Sequence, residues 1–85
     1  MRLFSSRDVL ISSANVDSAA LLIGEGVLLA CQVFQLNNNA TDVAQQLYDT
    51  LHKMDALGAS EMLIEAPPHA PEWLAILDRL TRAAS

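Results

Sequence analysis

From Asp42 to Leu57 the apolar residues Val43, Leu47, Leu51 and Met54 recur at spacings of four, four and three, with Ala44 and Leu57 alongside. That period places them on one face of a helix and leaves Gln45, Gln46, Asp49 and Lys53 toward water. Asn39 or Thr41 supplies the N-cap, Asp49 and Lys53 form an i,i+4 pair, and Gly58 provides a left-handed stop. Next, Glu61–Ala66 (EMLIEA) reads as a strand. Pro67 and Pro68 end it, because neither has an N–H to give to a ladder. A helix feeding a short apolar strand is the repeating unit of an α/β sheet, and it limits the topologies open to the rest of the chain.

The remaining segments fit that frame. Asp8–Ser13 (DVLISS) is a short apolar run closed by small polar residues and reads as a strand. Asn15 or Asp17 begins a short helix through Ile23 ended by Gly24, or else a loop with an apolar plug. Gly26–Phe34 (GVLLACQVF) is continuously apolar, as expected of a central parallel strand covered on both faces. Pro71 starts a last helix, with Glu72 at its N-terminal end, Arg79 and Arg82 toward its C-terminal end, and an inner stripe of Trp73, Leu77, Leu80 and Ala84. Leu74 and Ile76 fall near the edges of that stripe. The fold class is therefore α/β: one small Rossmann-like, three-layer domain over residues 1–85, with a mainly parallel sheet of about three strands flanked by helices.

Charge and length narrow the function classes. Ten acidic residues against five basic ones give a net charge of −5. This argues against a nucleic-acid backbone or an anionic membrane surface as a direct partner. No apolar run approaches the roughly 20 residues of a spanning helix. Cys31 is the single cysteine, so the chain forms no internal disulfide. A soluble, cytoplasmic setting follows as the expectation.

In open α/β sheets, ligands lie beyond the carboxyl ends of the strands. That rule selects Ser12, Ser13, Asn37, Asn38, Glu65 and His69 as candidate ligand-binding residues, although loops carry such residues whether or not they bind anything. Glu65 and His69 have the chemistry of an acid–base pair, but no nucleophile or second carboxylate accompanies them in sequence. No His, Cys, Asp and Glu spacing matches a metal site, and no cofactor motif is present. GEG at Gly24–Gly26 precedes a strand instead of joining a strand to a helix, so it is a poor phosphate cradle. No catalytic residue, metal or cofactor is expected.

One resemblance adds to this. The pieces Leu47–Tyr48, Leu51, Met54–Ala59 (MDALGA), Leu63–Pro68 (LIEAPP), Trp73, Asp78–Leu80 (DRL) and Arg82–Ala84 (RAA) stand in one order over about residues 34–85. This pattern resembles the C-terminal accessory domain of two-domain L-threonylcarbamoyladenylate synthases, the larger relatives of YrdC. The resemblance implies a small Rossmann-like fold. The family's reaction uses threonine, bicarbonate and ATP to make threonylcarbamoyl-adenylate, which serves a modification of adenosine in certain transfer RNAs. Its catalytic residues belong to the YrdC-like domain, which has no counterpart here, so none is carried over to this chain.

Three readings follow. The first is a domain that is not an enzyme on its own and docks on a YrdC-like catalytic domain, in cis or in trans. The second is a stand-alone small-ligand module using the strand-end loops. The third is a self-associating homodimer built on an exposed edge or apolar surface.

Overall fold

In chain order the elements are β1 (Arg2–Phe4), α1 (Arg7–Ser13), β2 (Ser18–Ile23), β3 (Gln32–Leu36), α2 (Ala40–Ala56), β4 (Glu61–Glu65), a 3₁₀ turn (Pro71–Trp73) and α3 (Leu74–Ala84). The structure is a computed structural model that describes residues 1–24, 26, 29 and 31–84. Its four strands lie in the order β1-β4-β2-β3, and every neighbouring pair is parallel. With α1 on one face of this parallel sheet and α2 and α3 on the other, the chain forms a three-layer, Rossmann-like domain with a Cα radius of gyration of 11.8 Å.

The layering follows from the alternation along β2, all six residues of which are buried. Ala19, Leu21 and Ile23 point to one face, where they meet Val43, Leu47 and Met54 of α2 and Trp73, Ile76 and Leu80 of the C-terminal segment. Ala20 and Leu22 point to the other face and pack with Phe4, Leu63 and Leu10 of α1. A strand buried on both faces has no polar side to show, so its sequence lacks the period-two signature.

Several expectations are corrected. Asp8–Ser13 is helical rather than extended: Ser6 caps α1, its hydroxyl accepting from the Val9 N–H at 3.5 Å. Only Leu10 of that helix is buried. The Asn15–Ile23 segment contains β2, a central strand, in place of the short helix or plug. Ala and Leu favour helices, but full burial between two helical layers decides against that preference. The expected central strand at Gly26–Phe34 is replaced by β3 at the sheet edge, beginning at Gln32. Val27, Leu28 and Ala30 of that expectation, and Glu25 of GEG, lie outside the described residues. The sheet has four described strands, the fourth being the three-residue β1.

The second half agrees more closely. Asn39 caps α2 by accepting from the Asp42 N–H at 3.1 Å. The Asp49–Lys53 pair closes at 3.5 Å on an exposed face, where such pairs contribute a few tenths of a kcal/mol. Gly58 ends the helix with a φ of 70°. The buried face of the C-terminal segment is Trp73, Ile76 and Leu80, while Leu77 is half-buried and Leu74 is exposed. Trp73 and Leu80 of the expected stripe are buried, while Ile76 takes the place of Leu77 between them because Trp73 belongs to the 3₁₀ turn.

Candidate functional site

The four strands end together at one edge of the sheet. Phe4 leads to Ser5, Ile23 to Gly24, Leu36 to Asn37 and Asn38, and Glu65 to Ala66, Pro67, Pro68 and His69. A cavity of about 490 Å³ opens there, with Ser5, Gly24, Asn38, Glu65 and His69 among its walls. Gly24 turns the chain away from β2 with a φ of 91°, a region that glycine enters without steric cost. Its N–H donates to the Leu36 carbonyl at 2.8 Å, and its carbonyl accepts from the Gln35 amide at 2.6 Å.

Glu65 holds the rim together. Its Oε2 accepts from Arg7 Nε at 2.8 Å, and its Oε1 accepts from Arg7 Nη2 at 2.8 Å and from the Ile23 N–H at 2.7 Å. The guanidinium in turn donates to the Ile23 carbonyl at 2.9 Å. The pair is bidentate, and its side chains are 25% and 16% exposed, so it is less screened by solvent than the surface pairs. Three elements meet in it: the start of α1, the end of β2 and the end of β4. A carboxylate offers about four lone-pair sites, and three are occupied here.

The sequence-selected residues divide accordingly. Asn38, Glu65 and His69 line the same cavity. Asn37 does not line it, since its amide donates to the Asp42 carboxylate at 2.9 Å and ties the loop to α2. Ser12 and Ser13 lose the basis on which they were selected, because they end a helix and not a strand. Their hydroxyls donate to the Val9 carbonyl at 2.9 and 3.0 Å, and the helix leads them back from the carboxyl edge. Sequence reasoning missed Ser5, Gly24 and above all Arg7. In the structure Arg7 lies in the first turn of α1, where a positive charge opposes the helix dipole and an acidic partner offsets it.

A second cavity, of about 450 Å³, opens at the amino ends of the strands between Val16–Ser18, Cys31–Gln32 and Leu57–Ser60. Burial pushes the Cys31 thiol above its ordinary pKa, against the lowering effect of a backbone hydrogen bond. Among the described residues no group of three or more His, Cys, Asp or Glu is placed to hold a metal ion. No helix among them is long and apolar enough to cross a membrane.

No curated protein and no solved structure matches the chain significantly. Residues 5–85 match the family model described as threonylcarbamoyl-AMP synthase, C-terminal domain, a longer stretch than the 34–85 region that carried the resemblance. With nearly the whole chain inside that match, from the turn after β1 to the end of α3, the protein belongs to the threonylcarbamoyl-AMP synthase C-terminal domain family.

Proposed function

We propose that this chain is a non-catalytic accessory domain in threonylcarbamoyl-AMP synthesis. It docks on a YrdC-like catalytic domain, in cis or in trans, and so supports threonylcarbamoyladenosine modification of transfer RNA in the cytoplasm. The observation that carries this reading is the use of Glu65. Among the described residues it is the carboxylate on the wall of the strand-end cavity, and Arg7 and the Ile23 N–H occupy it with three hydrogen bonds. A carboxylate held in this way maintains a shape and is poorly placed to move a proton for a substrate. Val16 and Leu57, 80% and 48% exposed, stand on the wall of the opposite cavity and offer apolar surface for contact with another domain.

The test is reconstitution. The purified chain is mixed with a separately produced catalytic domain, and pyrophosphate release dependent on threonine, bicarbonate and ATP is followed. The chain alone gives no turnover, and its addition changes the rate of the catalytic domain. Absence of binding together with an unchanged rate would remove the proposal.

A second reading, a small-ligand module, is favoured by the cavity itself, where Asn38 and His69 present an amide and an imidazole at the rim. A small-molecule screen by chemical-shift perturbation separates the two. Shifts confined to Gly24, Asn38 and His69 favour ligand binding, whereas shifts elsewhere, seen only with the catalytic domain, favour docking.

A further inference from the structure

In a parallel ladder, a residue facing its neighbouring strand donates its N–H to one residue there and accepts from the residue two further along. The Gly24 N–H points to β3, where it bonds the Leu36 carbonyl. One residue earlier, therefore, the N–H and carbonyl of Ile23 face β4. The pairing of β2 with β4 runs to Leu21 opposite Ile64. Carried on by two residues, that register sets Ile23 opposite Ala66 and requires the donor for the Ile23 carbonyl to come from position 67. Position 67 is proline, which has no N–H. At the same point β4 stays with β1, the Ala66 N–H donating to the Phe4 carbonyl at 2.8 Å, while it parts from β2.

Ile23 is only 9% exposed, so its peptide groups need partners from the protein. They find them in side chains: the Ile23 N–H donates to Glu65, and the Ile23 carbonyl accepts from Arg7. We infer that the Arg7–Glu65 pair is a side-chain rung that replaces the backbone rung removed by Pro67. It is also the positioning element of the strand-end cavity, because it fixes where β4 turns away from β2. The place of Pro67, Pro68 and His69 opposite Gly24 and Asn38 depends on that point. This inference concerns the chain alone and does not rest on the docking proposal.

A double-mutant cycle tests it. Arg7→Gln, Pro67→Ala and the double variant are unfolded in urea with Trp73 fluorescence as the probe. Arg7→Gln lowers the folding constant by roughly ten- to a hundredfold in the parent chain. The loss is at least several-fold smaller in the Pro67→Ala background, where the restored N–H at position 67 can serve the Ile23 carbonyl. Equal losses in both backgrounds would overturn the inference. Positioning is read separately by NMR. Arg7→Lys keeps a charge and a donor but lacks the planar fork, so the Asn38 side-chain amide and the His69 ring resonances shift. Unmoved resonances at both would also overturn it. Should Arg7→Gln fail to fold, amide exchange in the parent chain decides: the Ile23 amide exchanges within about tenfold of Leu21 if the rung is made, and far faster if it is not.

Discussion

The carbonyl of Asp17 receives both the backbone N–H of Ser60, at 2.8 Å, and the Ser60 hydroxyl, at 3.1 Å. This double contact ties the entry of β4 to the entry of β2 just before Ser18 and Glu61 begin their pairing. At the amino edge of the sheet it does what Arg7 and Glu65 do at the carboxyl edge: it pins the register of the two central strands.

Ser60→Ala removes the hydroxyl but leaves the backbone bond. It costs about 0.5–1 kcal/mol in urea unfolding, the value of one exposed hydrogen bond. Asp17→Ala leaves the same carbonyl in place, so it has a smaller effect in the same measurement.

Leu10 is fully buried and anchors the seven-residue α1. A helix that short does not persist without tertiary contacts. Leu10→Ala therefore costs about 2–5 kcal/mol. Amide exchange accelerates first over Arg7–Ser13, whereas α2 keeps its protection.

Asn39 caps α2 through its side-chain oxygen. Asn39→Ala destabilises the chain by about 1 kcal/mol, and Asn39→Ser restores most of that loss. Thermal unfolding followed by circular dichroism measures both.

At Gly58 the backbone has a φ of 70°, and an added Cβ would meet nothing within 4 Å. The cost of Gly58→Ala is thus conformational and not steric: about 1–2 kcal/mol, with Gly58→Asn milder. Comparison of the two variants by urea unfolding isolates the backbone contribution.

The Cys31 thiol holds its proton more tightly in the folded chain, mainly through burial. Alkylation by iodoacetamide therefore rises with pH later than for a free cysteine. The sign for stability follows: the contribution is complete below the unfolded thiol's pKa and is lost as pH rises through the folded value. Alkylation rates measured across the alkaline range check the direction.

The legible parts of the chain were those whose own residues carry the pattern. The four-four-three stripe of α2, the stop at Gly58 and the strand closed by Pro67 need no information from elsewhere in the chain. β2 was not legible because its environment, one helical layer on each face, removes the alternation that marks a strand. The α1 segment carries Val9 and Ile11, which look like strand residues but are 52% and 37% exposed. In a run that short, helix and strand have the same appearance. At the site, the strand-end rule found Asn38, Glu65 and His69. Arg7 escaped it because the acid that accounts for its place is 58 residues away. The two serines at positions 12 and 13 failed with the strand assignment on which they depended.

The three-residue β1 pairs only with β4 within the sheet, Arg2 facing Leu63 and Phe4 facing Glu65. During synthesis β1 has no mate until some sixty further residues have been made. Contacts so distant along the chain slow folding. Until β1 docks, Leu63 and Ile64 present an open flank to any passing strand of another nascent chain.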